Sequence, residues 1–369
     1  MTLLPKPISR RRFLLRGTAA SAAVAIGLNG RANQNADPGS EGEAHDFIGP
    51  DAQRHIDRGL AYLAKTQNLD GSFGDRIQFH GNVAITSLAA LAFMSGGHHV
   101  GRREFGGNVQ RALLYVLSQE KRSPAGYLHH DANNRQVGVG MYDHGFGTLF
   151  LAEIYGMIPD STLQSRVRGT IERAVRLIET TQNREGSWRY DPMPLQGDVS
   201  VTISQIMALR AARNAGFVVS KPIVDLCVKF VRSCQNLDGG YSYFSGQGGS
   251  AFARSAAGLV ALYSAGIYEG KEIERTLKYI AQKRPRHEIP DMHWYYGQYY
   301  AAQAFWTAAA RAPQYWNEWF PAMRDELIGR IRNRTDGSWL DPITGNHYAT
   351  AMALIILQIP NNYLPILQK

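Results

Sequence analysis

A carboxylate and an imidazole are adjacent in the stretch Tyr142-Asp143-His144-Gly145, at the predicted start of an apolar helix. Such a pair could act in general acid–base catalysis, because a neighbouring acid can tune the pKa of the imidazole close to neutrality. Adjacent helical residues point about 100° apart, so at most one of the two can face directly into a cavity. Asp143 and His144 are therefore candidate catalytic residues, and the alternative is that Asp143 caps the helix.

A second candidate is an arginine inside a strongly apolar stretch, residues 252–263. Arginine is almost never buried without a partner, so Arg254 requires either an acidic side chain of the protein or an anionic ligand. Its planar guanidinium suits a diphosphate or a carboxylate, since these groups accept two parallel hydrogen bonds. We take Arg254 as a candidate ligand-binding residue, with an internal salt bridge as the alternative.

A third candidate is a cluster of aromatic residues in the stretch 294–310. Tyr295 and Tyr299 are four residues apart, as are Tyr296 and Tyr300, so each pair shares one face if the stretch is helical. Aromatic faces stabilise cations by ~0.5 to 2 kcal/mol each, and they also bind polyprenyl chains or sugars. Tyr295, Tyr296 and Tyr299 are thus candidate ligand-binding residues, although core packing between repeats explains the same pattern.

A short phrase that recurs along the chain must position these candidates. Its clearest copies are Gln67-Asn-Leu-Asp-Gly-Ser-Phe73, Gln182-Asn-Arg-Glu-Gly-Ser-Trp188, Gln235-Asn-Leu-Asp-Gly-Gly-Tyr241 and Asn333-Arg-Thr-Asp-Gly-Ser-Trp339. Each copy ends one helical pattern and starts another, and its glycine can adopt the positive φ that ends a helix. Recurrence at roughly fifty-residue spacing indicates a repeat fold, in which each unit buries its apolar face against its neighbours.

The apolar patterns on the two sides of the phrase differ. Before the first copy, Ile56, Leu60 and Leu63 form a single stripe, whereas residues 83–94 after it are apolar almost all round. With the degenerate copies included, the sequence contains six such helical hairpins, or twelve helices. An open stack would need polar terminal repeats, and the terminal repeats here are as apolar as the rest. We therefore predict an all-α fold, a single (α/α)6 toroid over residues 51–369 with the apolar helices inside.

The phrase resembles the Gln-Trp repeat of terpene cyclases and the related repeat of protein prenyltransferase β subunits. The resemblance runs from about residue 52 to about residue 360. It identifies the chain as a prenyltransferase and squalene oxidase repeat protein of the terpenoid cyclase/protein prenyltransferase superfamily. It implies that the inner helices line a central cavity and that the loops entering them carry the working residues. It does not fix the reaction, because one fold hosts many chemistries.

In cyclases of the squalene-hopene type, the catalytic acid lies in an Asp-x-Asp-Asp-Thr motif that opens an inner helix. The corresponding stretch here is Asp198-Val199-Ser200-Val201-Thr202. The first Asp and the Thr are kept, but Ser200 and Val201 occupy the positions of the proton donor and its neighbour. Since a hydroxyl group cannot replace an acid that protonates a carbon–carbon double bond, the sequence disfavours classical squalene cyclisation. Asp198 is still a candidate catalytic residue.

Protein prenyltransferase β subunits hold a catalytic zinc ion with an Asp-x-Cys pair and a later histidine. In this sequence Asp291-Met292-His293 opens the predicted fifth inner helix, and His347 opens the sixth. The resemblance therefore implies zinc as a candidate cofactor, held by Asp291, His293 and His347 with a fourth position open for water or substrate. His293 stands in place of the family's cysteine, so thiolate chemistry is not implied. The alternative is that these residues cap helix starts and face solvent.

The first 31 residues have the layout of a twin-arginine export signal. The stretch Ser9-Arg10-Arg11-Arg12-Phe13-Leu14 precedes a mild apolar run over residues 17–28, which is shorter than the ~20 apolar residues that span a membrane. We predict export to an extracytoplasmic compartment through the twin-arginine route, and an uncleaved leader would associate with the membrane. The polar residues 32–50 read as a disordered linker.

The leader also holds much of the excess positive charge. It contains six of the forty Lys and Arg residues and no acid, so the rest of the chain has 34 basic against 31 acidic residues, a net charge of +3. A net charge this small argues against nucleic acid as a partner.

The leading hypothesis is an exported toroid that binds, and as an enzyme would transform, an apolar or prenyl-type small molecule in its central cavity. One alternative is a carbohydrate-active (α/α)6 lyase or hydrolase, and another is a non-catalytic repeat scaffold for a protein partner. The lining of the cavity separates them. A deep apolar cavity with Arg254 at its wall favours a lipid, a shallow cleft with paired carboxylates favours a sugar, and a filled centre favours neither.

Overall fold

The computed structural model describes residues 41–130, 140–192, 195–283 and 293–368. This part of the chain consists of helices and one hairpin of two short strands, β1 (Glu120–Arg122) and β2 (Ala125–Leu128). The helices in chain order are α1 Glu41–Thr66, α2 Val83–Ser95, α3 Gly106–Ser118, α4 Gly140–Ile154, α5 Ser161–Thr180, α6 Val199–Asn214, α7 Lys221–Ser233, α8 Phe252–Ser264, α9 Lys271–Ala281, α10 Trp294–Ala308, α11 Pro313–Ile331 and α12 Asn346–Gln358.

The odd-numbered helices form an outer layer and the even-numbered helices an inner one, as the apolar patterns predict. In α9 the buried apolar residues Ile273, Leu277 and Ile280 lie on one stripe, and the opposite face is charged. In α2 every residue is buried, because this helix is covered on all sides. The inner layer therefore supplies most of the core.

The inner helices form a closed ring. Each packs against the next in the order α2, α4, α6, α8, α10 and α12, and α12 packs back against α2. The outer helices lie against the grooves between neighbouring inner helices. The predicted all-α (α/α)6 toroid is thus confirmed.

The recurring phrase joins each repeat to the following one. The side chain of Gln67 donates hydrogen bonds to Gly71 O in its own phrase (2.8 Å) and to Asn108 O near the start of α3 (3.0 Å). Gly71 has φ 90°, and a Cβ atom there would lie 2.5 Å from Arg111 O. Only glycine allows this close approach between the turn and the next outer helix.

The last phrase closes the ring with the same contact. Gly337 has φ 80°, and a Cβ atom there would lie 2.6 Å from Arg58 O on α1. The phrase therefore makes the junction between the last repeat and the first, as it does between consecutive repeats.

The hairpin of β1 and β2 lies in the degenerate second copy of the phrase, where the sequence predicts no strand. Glu120 pairs with Leu128 and Arg122 with Ala125 in antiparallel register. Gly126 keeps the role of the phrase glycine, because its φ is 83° and a Cβ atom there would lie 2.7 Å from Arg173 O. The hairpin thus adds two short strands without changing the repeat.

The beginning of the described chain differs from the composition-based expectation. Residues 41–50, which composition assigns to the linker, are helical and form the start of α1, with a break in helical geometry at Gly49. Residues 1–31 of the predicted signal and residues 32–40 lie outside the described part. Among the helices described, none combines the length and the apolar character that crossing a bilayer requires.

The C-terminal segment covers the end of the ring at which the inner helices finish. Trp306 Nε1 on α10 donates to Leu367 O (3.1 Å), and Ile366 N donates to the buried Glu153 carboxylate on α4 (3.0 Å). Leu364 and Leu367 are buried against the core. This end of the toroid is therefore capped, and the opposite end, where the inner helices begin, is the one that the phrase loops surround.

Candidate functional site

Five tyrosines from different repeats gather where the inner helices begin. Tyr142, Tyr296 and Tyr348 are surrounded by protein, yet each keeps accessible surface, which indicates that they line a recess. Tyr190 and Tyr243 come from the loops that enter α6 and α8. The Tyr142 and Tyr190 rings lie 6.2 Å apart, and the Tyr296 hydroxyl donates to Ser200 O on α6 (3.1 Å). We call this group the tyrosine recess.

Asp198 lies at the wall of the tyrosine recess and is fully buried. It is the N-cap of α6, where Oδ1 accepts the Val201 N–H (2.9 Å) and Oδ2 accepts the Tyr243 hydroxyl (2.9 Å). Burial raises the pKa of Asp198, while these hydrogen bonds and the Arg189 guanidinium at 4.0 Å act in the opposite direction. The carboxyl group is therefore held by several donors but does not touch solvent.

A chain of hydroxyl groups connects Asp198 to the accessible side of the recess. The Tyr190 and Tyr243 hydroxyl oxygens lie 2.8 Å apart. Since Tyr243 has one hydroxyl proton and gives it to Asp198, Tyr190 must donate to Tyr243 when Asp198 is ionised. The oxygen of Tyr190 then has a free acceptor side for a ligand hydroxyl group.

Asp143 is also fully buried, and it caps a helix other than its own. Its Oδ1 accepts the Ala84 N–H at the start of α2 (3.1 Å), and its Oδ2 lies 2.8 Å from His129 Nδ1. Burial raises the pKa of Asp143, and the His129 contact lowers it by a smaller amount. Asp143 and His129, rather than Asp143 and His144, form the carboxylate–imidazole pair.

His144 has a structural role that the repeat explains. In four other repeats a buried hydroxyl accepts the backbone N–H of the phrase aromatic, and these pairs are Phe73 with Thr86, Trp188 with Thr202, Tyr241 with Ser255 and Trp339 with Thr350. In the second repeat, His144 Nδ1 accepts the Leu128 N–H in the same way (3.2 Å), and Nε2 lies 3.2 Å from Ala174 O. Burial lowers the pKa of His144 to about 4. Both ring nitrogens are thus engaged within the protein, so His144 does not contribute to the recess.

Arg254 donates its hydrogen bonds to backbone carbonyl oxygens. Its Nη2 donates to Gly249 O (3.0 Å) and its Nε to Tyr241 O (3.5 Å), while the guanidinium carbon lies 5.9 Å from the centre of the Tyr243 ring. The described residues show no carboxylate paired with it. Arg254 is partly exposed beside Tyr243, so it remains a candidate ligand-binding residue at the edge of the tyrosine recess.

The three candidate tyrosines of helix α10 differ in their exposure, which the sequence did not predict. Tyr295 is buried, with its ring edge-on to Trp294 (4.9 Å) and close to Tyr348 (6.4 Å). Tyr296 is the partly exposed member of the set and faces α6 through Ser200. Tyr299 is buried in the centre of the ring, where its ring meets Phe146 at 6.3 Å. Of the three, only Tyr296 presents accessible surface to the recess.

One of the three residues proposed for zinc, His347, has no ring nitrogen available for a metal ion. His347 is buried, its Nδ1 accepts the Gly74 N–H (3.0 Å), and its Nε2 lies 2.9 Å from Thr66 Oγ1. Since the Thr66 hydroxyl donates to Tyr62 O, it accepts the remaining ring proton of His347, and no nitrogen is left for a metal. His293 is exposed before α10, and Asp291 lies outside the described residues. The described part of the chain contains no group of three or more metal-binding side chains.

Sequence reasoning missed five residues of the site, namely His129, Tyr142, Tyr190, Tyr243 and Tyr348. A signal for two of them exists in the repeat, because Tyr190 and Tyr243 each follow the aromatic end of a phrase by two residues. The same position in the first repeat is Asp75, whose carboxylate accepts the Asn346 N–H at the start of α12 (2.8 Å). This position therefore delivers a side chain to the start of an inner helix.

Two family models match the sequence. The model for the squalene-hopene cyclase C-terminal domain matches residues 152–325, and the model for the prenyltransferase alpha-alpha toroid domain matches residues 45–128. No curated protein matches the sequence.

Solved structures of similar fold include both terpenoid and carbohydrate enzymes. Cellobiose 2-epimerase from Bacillus thermoamylovorans B4167 is 13% identical, with a TM-score of 0.63, over 88% of this chain and 100% of its own. The GH76 alpha-mannanase BT2949 of Bacteroides thetaiotaomicron is 12% identical, with a TM-score of 0.60, over 87% and 98%. A variant of the type II terpene cyclase MstE from Scytonema, in complex with the product merosterolic acid A, is 12% identical, with a TM-score of 0.55, over 88% and 100%.

At these identities the structural matches establish the fold, whereas the family models carry sequence information. The two models match different repeats and describe toroid domains of terpene cyclases and of prenyltransferases. This chain belongs to the terpenoid cyclase/protein prenyltransferase superfamily of α/α toroids with Gln-Trp-type repeats.

Proposed function

We propose that this toroid binds an apolar, prenyl-type ligand in the tyrosine recess. The observation that carries the proposal is the convergence of five tyrosines from different repeats on one recess at the open end of the ring. Aromatic faces bind both isoprene units and the cations derived from them. The related MstE enzyme was solved with geranylgeranyl dihydroxybenzoate as its substrate, which supports a ligand of this class.

The recess holds one end of the ligand rather than an enclosed chain. Phe146 and Tyr299 fill the ring axis below it, so a long chain would extend toward the open end. Val201 is buried, and Val201 and Ser200 stand where squalene-hopene cyclases have acids. Cyclisation by protonation of an alkene is therefore not part of the proposal.

The chemistry available in the recess is proton acceptance. If a ligand hydroxyl group contacts Tyr190, its O–H bond can break as the proton passes to Tyr190, the Tyr190 proton to Tyr243 and the Tyr243 proton to Asp198. Asp198 ends protonated and the ligand oxygen carries the negative charge, so the step balances. Arg254 and Arg189, both close to Tyr243 or Asp198, would stabilise that charge.

Ligand titrations and native mass spectrometry of the purified protein test this function. We expect a co-purifying lipid, and quenching of intrinsic fluorescence by geranylgeraniol that Tyr296→Ala weakens at least about tenfold, as loss of an aromatic contact and its buried area predicts. Tyr315→Ala, on outer helix α11, is the control, because Tyr315 stacks on Phe305 outside the recess. Equal binding by both variants, with no lipid retained, would overturn the proposal.

A carbohydrate ligand is the second candidate, and the polar rim of the recess favours it. The Tyr190 and Tyr243 hydroxyls and the Arg254 guanidinium lie beside aromatic faces, a combination that also suits sugars. The likeness to an epimerase and a mannanase supports this alternative. Binding of cellobiose but not geranylgeraniol in the same titration would select it.

We further propose that the chain is exported through the twin-arginine route, as its first 31 residues predict. Cell fractionation of the full chain, compared with a variant carrying Arg11→Lys and Arg12→Lys, tests this. The variant should remain in the cytoplasm, while Arg16→Lys should be exported. Export of both variants would contradict the route, and recovery of the full chain with membranes would indicate that the leader is kept.

A further inference from the structure

A cavity of about 270 Å³ lies at the capped end of the toroid, opposite the tyrosine recess. The last turns of α6, α8 and α10 form its walls, and the C-terminal residues 366–368 form its roof. Its volume is close to the lower bound of about 300 Å³ for small-molecule sites. The proposed function in the recess does not involve this cavity.

Arg210 on α6 lines this cavity. Its Nη1 donates to Tyr263 O (2.7 Å) and to the Tyr268 hydroxyl (2.5 Å), and the Tyr268 ring lies 5.7 Å from the guanidinium carbon. These contacts fix the plane of the group. The Nε atom on the other edge is buried and has no hydrogen-bond partner in the described part of the chain.

The charge of Arg210 is also unbalanced. Across the described ranges, no carboxylate lies within 4.0 Å of it, and the nearby Glu269 pairs with Arg311 (2.7 Å). Arg311 itself lies at the rim of the cavity. Arg210 therefore gives the cavity a positive charge that an anionic ligand would balance.

We propose that this cavity binds the oxyanion of a small molecule, a carboxylate or a phosphate, beside the guanidinium of Arg210. The fixed planar fork of arginine matches two oxygens of such an anion. Gln303, Ser264 and Thr307 line the same cavity and can donate further hydrogen bonds. The apolar wall from Val260 and Leu367 leaves room for a short carbon skeleton.

Thermal unfolding and calorimetric titration with succinate and with inorganic phosphate test the site, with chloride at equal ionic strength as the reference. A ligand that binds the folded state raises the midpoint by mass action. We expect one of the two anions to raise it and to bind at least about tenfold more weakly to Arg210→Lys, which keeps the charge but loses the fork. Arg213→Gln is the control, because Arg213 is exposed on the same helix and does not line the cavity.

The two probes distinguish a carboxylate ligand from a phosphate ligand. Stabilisation by succinate alone supports a carboxylate, and stabilisation by phosphate alone supports a phosphate. If Arg210→Lys does not fold, Gln303→Leu and Thr307→Val take its place, since neither residue anchors Tyr263 or Tyr268. Equal midpoints in all three salts, or equal losses in Arg210→Lys and Arg213→Gln, would overturn the proposal.

Discussion

Phe146 and Tyr299 meet at the centre of the toroid from opposite sides of the ring. Their helices, α4 and α10, are three steps apart in the closed order of inner helices, yet the two ring centres lie 6.3 Å apart. Both side chains are buried, with 4% and 3% of their surface exposed. The pair therefore forms the floor of the tyrosine recess and limits how far a ligand can enter.

Removal of this floor should change which ligands fit. Phe146→Ala is expected to lower the free energy of unfolding by about 3–5 kcal/mol, because it leaves a cavity in the core. It should also raise affinity for geranylgeraniol relative to the shorter geraniol, since the chain can then enter the ring axis. Denaturant unfolding and fluorescence titration measure the two effects.

The matched control for Phe146→Ala is Phe230→Ala, at a buried phenylalanine on outer helix α7. It should cost a similar free energy and leave the preference for chain length unchanged. An unchanged preference in Phe146→Ala as well would show that the ligand does not reach the floor.

The bond between Tyr243 and Asp198 should control the pH dependence of ligand binding. The Tyr243 hydroxyl stabilises the ionised carboxylate and thereby lowers the pKa of Asp198, so Tyr243→Phe should raise that pKa further. If binding requires ionised Asp198, the acid limb of the binding profile moves to higher pH in the variant. The loss in stability should be about 1 kcal/mol, the usual value for one hydrogen bond.

Fluorescence titrations across pH 4 to 8 would measure this shift, with Tyr315→Phe on α11 as the control. An identical acid limb in Tyr243→Phe and in the unmodified protein would show that Asp198 does not act through Tyr243.

The phrase glycine that closes the ring should tolerate no side chain. In Gly337→Ala the new Cβ would lie 2.6 Å from Arg58 O, at a φ of 80° that alanine adopts only with strain. We expect a loss of at least about 2 kcal/mol, from backbone strain of about 1–3 kcal/mol and the displaced contact. Denaturant unfolding provides the measurement.

Gly329→Ala is the opposite case in the same repeat. Gly329 lies on the exposed face of α11, and a Cβ atom there meets nothing within 4 Å. Because alanine favours the helix by about 1 kcal/mol over glycine, this variant should be neutral or more stable. Equal stability of the two variants would mean that the contact between Gly337 and Arg58 does not hold the ring closed.

The fold was predictable from sequence because its determinants are local and repeated. The phrase forms the turn, and its glycine adopts the positive φ that the turn requires. The apolar pattern of each helix indicates whether it belongs to the inner or the outer layer. The hairpin at Glu120–Arg122 was not predictable, because it replaces a turn inside a degenerate copy of the phrase.

The site was predictable only in part, since its contacts join different repeats. Asp198 at the start of α6 was identified from its local motif, but its partner Tyr243 lies 45 residues later. Asp143 caps a helix that begins 60 residues earlier, and its imidazole partner is His129. Adjacency in sequence suggested His144 instead, whose ring turns toward Leu128 and Ala174. Comparison of the hydroxyl positions in the other repeats is the signal that identifies His144 as structural.

The burial of His144 predicts how the free energy of unfolding depends on pH. Above pH 6.5 the histidine is neutral in the folded and unfolded chains, so it contributes no pH dependence. Between pH 6.5 and about 4 the unfolded chain binds a proton that the folded chain does not, and stability falls as the pH falls. Since one pKa unit corresponds to about 1.4 kcal/mol, the penalty reaches about 3 kcal/mol near pH 4 and then stays constant.

His144→Thr should remove this part of the pH dependence, because threonine is the residue at the equivalent position of three other repeats. It should cost stability at pH 7, since Ala174 O loses its partner, but the decline from pH 6.5 to pH 4 should be shallower than in the unmodified protein.

Other buried groups also contribute to the pH dependence of stability. Four further histidines have lowered pKa values and add to the decline, namely His347, His98, His99 and His130. The raised pKa values of Asp143 and Asp198 oppose it. The informative quantity is therefore the difference between variants in denaturant unfolding at several pH values. Thr86→Ser, at the equivalent position of the first repeat, is the control and should leave the slope unchanged, because it keeps the hydroxyl and changes no titratable group. Equal slopes for His144→Thr and the unmodified protein would show that the imidazole of His144 is not held neutral by burial.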